Sequence, residues 1–241
     1  MSRPVHSQNI FCRRLLLMSA LSFHLLTFSF SQSQTSVSLP VNWRDSLHTL
    51  NREIAAEKKW SADLHLRKAA VNIQLQQWQY AIDEYAGILQ HEPHNPAALF
   101  YRAYANTHLR RYLLARNDYQ DLLAAFPRHF EARLSLSYVL QLMNKPQEAL
   151  DGLNQLVQMY PDSAVAYAAR ANLEREVQQT DAAVYDWQSA IRLSPQDAGY
   201  VASLAELLIA LERRREARQV LDEAVRRGIP HGMLAAWYRR L

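Results

Sequence analysis

The most constraining feature of this 241-residue chain is a spacing of 34 residues that several residue types share. Four prolines follow it, at Pro93, Pro127, Pro161 and Pro195. Two rows of small residues keep the same register, namely Ala81, Ala115, Ala149, Ala183 and Ala217, and Ala69, Ala103, Ser137, Ala171 and Ala205. Three rows with one period predict an array of structural repeats, in which each unit buries its apolar face against its neighbours.

Each repeat unit contains two helical patterns separated by a short break. In residues 97–109 apolar side chains recur three and four positions apart, as one face of a helix requires. A second pattern covers residues 112–125 and ends just before Pro127, which cannot continue a helix. The short connections predict antiparallel neighbours. Asn95 before Pro96 marks a helix start, and the caps predicted for other units are Ser61, Ser163 and Asp197.

The two rows of small residues predict where the helices of one unit touch. Helices approach closely only where the side chains between them are small, because protein interiors are close-packed. Ala69 and Ala81 are therefore expected to face each other in the first unit, and their equivalents in each later unit.

The pattern fits five units, which begin at Ala62, Pro96, Phe130, Ala164 and Ala198. Each has a small residue at position 8, alanine at position 20, and an aromatic residue or leucine at position 24, namely Tyr85, Tyr119, Leu153, Trp187 and Leu221. This pattern resembles the tetratricopeptide repeat family. The resemblance implies an all-α, right-handed superhelical solenoid of about five helix-turn-helix units with terminal capping helices. Its units would be residues 62–95, 96–129, 130–163, 164–197 and 198–231.

Two features depart from the family pattern. The glycine often found at the turn between the two helices is absent, and its place is taken by Gln76, Arg110, Asn144, Gln178 and Glu212. The fifth unit has Ile229 where proline is expected, and Pro230 follows one residue later.

The units are of two kinds. Where position 7 is basic, position 23 is acidic, and where one is lost the other is lost too; the pairs are Lys68 with Glu84, Arg102 with Asp118, Leu136 with Gly152, Arg170 with Asp186, and Leu204 with Val220. We expect ion pairs between Arg102 and Asp118 and between Arg170 and Asp186, and leucine packing in units three and five. The alternative is a chance correlation among solvated residues.

The first 31 residues have the composition of a secretory signal. Arg3, Arg13 and Arg14 precede an apolar run from Leu15 to Phe30, and no acidic residue occurs in the segment. Cleavage near Ser31 would export the chain to the periplasm or outside the cell. An uncleaved N-terminal anchor is the less favoured alternative, since the run is short for a membrane span.

Both ends of the array are predicted to carry caps, which solenoids need to cover their terminal units. Residues 32–61 read as a flexible segment followed by a capping helix, whose apolar face is Trp43, Leu47, Leu50 and Ile54. Residues 232–241 read as a C-terminal capping helix with Met233, Leu234, Trp237 and Leu241. Trp237 is alternatively an exposed contact residue.

The sequence contains little that points to an enzyme. With five glycines it assembles no phosphate-binding loop, and it has no nucleophile elbow. His91 and His94 flank one inter-repeat turn, where exposed turn histidines are favoured over a metal site, which needs more ligands. We therefore predict a non-enzymatic chain without cofactor, metal or small-molecule substrate, although a site assembled across repeats stays open.

Positive charge is concentrated near the C-terminal end of the chain. The chain has 27 basic and 23 acidic residues, and three of the arginines lie in the predicted signal, so nucleic-acid binding is not indicated. A solvated helix face is the favoured interpretation of the arginine cluster, and contact with an anionic membrane surface is the alternative. Its residues are Arg213, Arg214, Arg215, Arg218, Arg226 and Arg227.

The resemblance also implies a binding site. In this family the first helices of successive units line a concave groove, into which positions 2, 5, 9 and 12 point. Phe100, Tyr104 and Tyr138 would form an aromatic strip suited to protein recognition. The predicted groove residues are Phe100, Tyr104, Thr107, Tyr138, Gln141, Asn172 and Arg175. The function expected from the sequence is an exported scaffold that holds a protein or peptide partner in this groove.

Overall fold

The computed structural model describes residues 42–241; the predicted signal and the segment up to residue 41 lie outside the described residues. This described part consists of twelve α-helices and contains no strand. They are α1 (Trp43–Ala55), α2 (Ala62–Gln74), α3 (Trp78–His91), α4 (Pro96–His108), α5 (Tyr112–Ala125), α6 (Phe130–Leu142), α7 (Pro146–Met159), α8 (Ala164–Glu176), α9 (Thr180–Leu193), α10 (Ala198–Ala210), α11 (Arg214–Arg226) and α12 (His231–Tyr238).

Consecutive helices pack against each other along the whole described chain. The helices α2 to α11 form five pairs, and three residues connect the two helices of each pair. No helix among residues 42–241 combines the length and apolarity that a membrane span requires.

The rows of small residues lie at the helix contacts, as predicted. Ala69, Ala81 and their alanine equivalents in the later units are fully buried, and Ser137 is 1% exposed. The core around them is divided between neighbouring units; one cluster, for example, combines Leu99, Tyr119 and Val139.

Ala183→Leu is therefore expected to lower the free energy of unfolding by roughly 1–3 kcal/mol, because extra methylenes overpack a filled contact. Ala182 is the matched control, since it is the preceding residue of α9 and is exposed. Chemical denaturation should show a small effect for Ala182→Leu. Equal midpoints for the two variants would contradict the close contact at residue 183.

The turn inside each pair has the same backbone geometry. Gln76, Arg110, Asn144, Gln178 and Glu212 have φ angles from 56° to 64°. In the first turn, the Gln77 amide donates to the Asn72 carbonyl at 2.8 Å and the Gln76 amide donates to the Ile73 carbonyl at 3.0 Å. These are the two hydrogen bonds of a Schellman motif, whose left-handed residue is usually glycine. The five positions that lack the family's glycine thus keep the conformation that glycine favours.

Gln178→Gly is expected to stabilise the chain by up to about 1 kcal/mol. A left-handed conformation costs a non-glycine residue about 1–2 kcal/mol, and glycine avoids this cost. Glycine in turn loses about 0.5–1 kcal/mol more backbone entropy on folding, which reduces the gain. Gln178 is exposed, with φ 64°, so few contacts are lost. The control is Gln188→Gly, at an exposed position inside α9, which should destabilise by about 1 kcal/mol. If thermal denaturation shows melting temperatures that change in the same direction for both variants, the left-handed backbone at residue 178 is not the cause.

The two kinds of unit are confirmed. Arg102 donates from Nε and Nη2 to Asp118 at 2.9 and 2.6 Å, and Arg170 donates to Asp186 at 2.6 and 2.9 Å. In the first unit, Lys68 Nζ lies 2.6 Å from a Glu84 oxygen. In units three and five, leucines at positions 7, 11 and 24 fill this region. Leu136 is half-buried, and the buried ones are Leu140, Leu153, Leu204, Leu208 and Leu221.

The helix caps follow the prediction except at one position. Asn95, Ser163 and Asp197 accept hydrogen bonds from backbone amides of the first turns of α4, α8 and α10. Ser61 makes no such bond. His129 is a further cap that was not predicted: its Nδ1 accepts a hydrogen bond from the Ala132 amide at the start of α6, at 3.2 Å.

The terminal helices lie against the ends of the array. α1 packs against α2 and buries Leu50, whereas α12 packs against α10 and α11 and buries Leu234. Trp237 packs against the core cluster that contains Leu234 and is not a free contact residue. Met233 is 59% exposed, so its assignment to the apolar face was wrong.

Candidate protein-binding groove

The predicted groove face runs along the first helices of successive units. α2 and α4 contact each other directly, although α3 separates them in the chain. Tyr104 and Thr107 on α4 and Tyr138 and Gln141 on α6 are each half-buried. On α8, Asn172 and Arg175 are also half-buried. Six of the seven predicted groove residues thus keep part of their surface accessible.

Phe100 is the exception, and its assignment to an exposed aromatic strip was wrong. Its side chain is only 6% exposed and packs edge-on against Tyr119, with ring centroids 5.6 Å apart. Its ring also stacks on His129, at 5.7 Å. Position 5 of this unit faces the next unit, so Phe100 belongs to the core between units two and three.

The polar groove residues use part of their hydrogen-bonding capacity within their own helices. Thr107 donates to the Ala103 carbonyl at 2.9 Å, Asn172 to the Ala168 carbonyl at 3.0 Å, and Gln141 to the Ser137 carbonyl at 3.3 Å. These bonds hold the side chains in one orientation. The amide oxygens of Asn172 and Gln141 can still accept a hydrogen bond from a ligand.

An aromatic cluster lies at the edge of this face, between the first two units; we call Trp78, Tyr104 and His108 the aromatic corner. The His108 ring stacks on Trp78 with centroids 4.0 Å apart and an interplanar angle of 3°. Tyr104 meets His108 edge-on at 4.6 Å and Trp78 at 6.0 Å. The three rings join the start of α3 to the last two turns of α4.

Of the three residues of the aromatic corner, only Tyr104 was predicted from the sequence as a groove residue. His108 lies at position 13 of its unit and Trp78 at position 17, outside the groove positions of the family pattern. A signal was nevertheless present, because Trp78 and His108 both flank intra-unit turns of adjacent units, where a superhelix brings them together.

The electrostatics of the groove face are mixed. Partial burial lowers the pKa of the His108 imidazole, part of which stays exposed, below its ordinary value of 6.5, so the imidazole is neutral at pH 7. Burial also raises the pKa of Glu176, which the charge of Arg175 partly opposes. With Glu131 and Glu206 on the same series of helices, the face has charges of both signs. A ligand in the groove would therefore bind mainly through apolar and aromatic contacts, with hydrogen bonds in addition.

The turn histidines are exposed, as the sequence predicts. His91 and His94 are both exposed, and the His91 ring stacks on Trp60 with centroids 4.1 Å apart. Residues 42–241 contain no group of three or more His, Cys, Asp or Glu side chains that could hold a metal ion.

The arginine cluster is partly neutralised within the chain. Arg213 forms a two-bond pair with Glu216, at 2.7 Å for each bond. Glu223 pairs with Arg226 at 2.6 Å and with Arg227 at 2.8 Å. The remaining members, Arg214, Arg215 and Arg218, are exposed. Since three of the six arginines are paired with glutamates, the cluster fits a solvated helix face better than a membrane contact.

The comparisons agree with this architecture. A model of the tetratricopeptide repeat matches residues 131–163. The DnaJ homolog subfamily C member 7 homolog of Dictyostelium discoideum is 23% identical over 158 residues, which are 59% of this chain and 29% of that protein. The chain thus spans less than a third of the length of that curated relative.

Solved structures share the fold at low identity. A protein from Parabacteroides merdae superposes with a TM-score of 0.66 at 18% identity, covering 95% of this chain and 88% of its own. MamA from Desulfovibrio magneticus RS-1 gives 0.60 at 21% identity, covering 68% and 93%. YrrB, described as a TPR protein with an unusual peptide-binding site, gives 0.59 at 18% identity, covering 81% and 100%.

These observations define a class of protein. Residues 42–241 form an all-α superhelical repeat fold, which is typical of protein–protein interaction. Residues 131–163 match the model of the tetratricopeptide repeat, and the fold is shared with a solved TPR protein.

Proposed function

We propose that this chain is an exported, non-enzymatic scaffold that binds a peptide or protein segment in its concave groove. The aromatic corner is the observation that carries the proposal. The Trp78 and His108 rings are stacked, the Tyr104 ring meets both of them edge-on, and His108 remains exposed. Rigid aromatic side chains give a large contact area at a small entropic cost, which is why they dominate binding hot spots.

The neighbouring groove residues extend this surface. Tyr138 and Gln141 continue it along α6, and Leu142, at the position equivalent to His108, is 39% exposed. The peptide-binding site described for YrrB lies on a similar fold and supports the same use of this one. The mixed charge of the face favours a partner segment with apolar side chains over a strongly acidic or basic one.

Site-specific photocrosslinking tests the proposal. A photoreactive phenylalanine analogue at Leu142 should give a discrete adduct in cells that express the chain. The same analogue at Tyr185, which is 60% exposed on the second helix of unit four, should not give that adduct.

The matched variants separate the groove from the rest of the surface. Tyr104→Ala with His108→Ala should abolish the adduct at Leu142, whereas Tyr80→Ala, at a 66% exposed position on α3, should leave it unchanged. Circular dichroism checks that each variant is folded. An adduct that survives in the folded double variant, or that forms equally at Tyr185, would remove the groove as the binding site.

Export rests on the composition of residues 1–31, with a basic start and an apolar run. Mass spectrometry of the native protein should place the mature N-terminus near Gln32, and cell fractionation should place it outside the inner membrane. An intact N-terminus on a cytosolic protein would contradict this part of the proposal.

A further inference from the structure

The arginine in the turn of unit two lacks an acidic partner that its equivalents in other units have. The basic residues at position 16 are Arg111, Lys145 and Arg213. Arg213 makes two hydrogen bonds, each of 2.7 Å, with Glu216 at position 19 of its own unit. Lys145 likewise pairs with Glu148, also at position 19. In unit two, position 19 is instead Leu114, which is 52% exposed.

A second acidic partner is also missing, in the preceding unit. Arg213 lies 3.5 Å from Asp181, at position 18 of unit four. The equivalent residue for Arg111 is Gln79, and the exposed guanidinium donates to its amide oxygen at 2.7 Å. The Gln79 amide nitrogen in turn donates to Asp83 at 2.8 Å, so this carboxylate is linked to Arg111 only through a neutral group. No ion pair in the described part of the chain includes Arg111.

This arginine lies beside the aromatic corner. Arg111 binds the residue that follows Trp78, and His108, whose ring stacks on Trp78, lies three residues before it in the chain. Residues 103–117, which include both His108 and Arg111, contain no acidic residue. Leu114 adds an exposed apolar side chain in the first turn of α5. An uncompensated cation thus adjoins exposed apolar and aromatic groups, a combination that indicates an interaction surface.

We propose that the partner segment has an aspartate or glutamate next to an apolar residue, and that Arg111 binds this carboxylate. The apolar residue packs on the adjoining aromatic corner and on Leu114. The carboxylate takes the place that Glu216 has beside Arg213 in unit five. Guanidinium groups bind carboxylates through strong, charge-assisted hydrogen bonds, often two in parallel. The inference rests on the proposed function, because it specifies the chemistry of the partner that the groove binds.

Selection of a random peptide library, displayed on phage, against the purified chain tests this inference. The displayed peptides have no free carboxyl terminus, so only a side chain can supply the carboxylate. We expect the enriched peptides to have an aspartate or glutamate next to an aromatic or aliphatic residue. Enriched peptides that lack an acidic residue, but lose binding to Tyr104→Ala with His108→Ala, would overturn the inference and leave the groove proposal standing. A library that yields no binding peptide would count against both.

Matched variants locate the carboxylate site. The affinity of a synthetic enriched peptide, measured by fluorescence anisotropy, should fall about fivefold in Arg111→Gln, as expected for one exposed ion pair. Added NaCl should weaken the binding to the wild type, because salt screens exposed charges. Arg213→Gln is the control, since it removes the same side chain at position 16 of unit five, and it should leave the affinity unchanged.

Two charge exchanges separate a direct contact from a structural effect. Leu114→Glu introduces the acid that units three and five have at position 19, so it should compete for Arg111 and weaken peptide binding. Arg111→Glu should recover affinity for a peptide whose acidic residue is replaced by lysine. Both positions are exposed, and circular dichroism checks that each variant is folded. Equal affinity of the wild type and Arg111→Gln for the enriched peptide, or no recovery in the exchanged pair, would overturn the inference.

Discussion

Arg102→Leu is expected to lower the free energy of unfolding by about 3 kcal/mol, because it leaves the Asp118 carboxylate buried without its cation. The Asp118 side chain is 7% exposed, whereas that of Arg102 is 26% exposed. Asp118→Val should therefore cost less, about 1–2 kcal/mol, since the freed guanidinium can reach water. The larger effect of the arginine substitution distinguishes a buried carboxylate from a simple loss of packing.

The double variant Arg102→Leu with Asp118→Val reproduces the residues that unit five has at the same positions, Leu204 and Val220. We expect it to recover most of the stability that Arg102→Leu loses, because neither charge remains in the interior. Urea denaturation of the wild type, the two single variants and the double variant gives a coupling free energy of about 2 kcal/mol or more. Additive single effects would mean that the pair contributes nothing beyond its separate side chains.

The within-unit structure is predictable because one register recurs five times. The correlated exchange at positions 7 and 23 is enough to predict the ion pair between Arg102 and Asp118, whose two hydrogen bonds confirm it. Contacts between units are harder to predict, because they depend on how each unit is rotated relative to the next. Phe100 was wrongly placed in the groove for this reason, and His108 was missed for the same one.

Local sequence also left one helix cap undecided. His129 acts as a helix cap although histidine is not a preferred capping residue, so composition gave no indication of it. This cap depends on side-chain geometry that a repeat pattern does not encode.

Glu174→Gln is expected to stabilise the chain at pH 8 by about 2 kcal/mol and to change it little at pH 4.5. Burial, followed by the charge of Asp186, raises the pKa of Glu174 from its ordinary 4.5 to about 7, although Arg170 opposes the change. The carboxylate is 8% exposed, and its Oε2 has no hydrogen-bond partner among the described residues. One pKa unit corresponds to about 1.4 kcal/mol, and we reduce the full difference because the NH₂ group of a glutamine must also find hydrogen-bond partners in this core.

The direction of the pH dependence follows from the raised pKa. The unfolded chain releases the Glu174 proton near pH 4.5, whereas the folded chain holds it until about pH 7. The contribution of the protonated form to stability is therefore complete below pH 4.5 and is lost as the pH rises through 7. Other groups titrate in this range, so the informative quantity is the difference between wild type and variant.

Chemical denaturation of the wild type and of Glu174→Gln, measured at intervals from pH 4.5 to 8, gives that difference directly. It should grow with pH and level off above 7. Glu174→Asn is a useful companion, because units one and two have Asn72 and Asn106 at this position, both buried beside a base–acid pair. A constant difference across the whole range would show that Glu174 titrates normally and that Arg170 neutralises both carboxylates. A growing difference would show that one guanidinium, held 2.6 Å from Asp186 and 3.6 Å from Glu174, stabilises a single negative charge in this core.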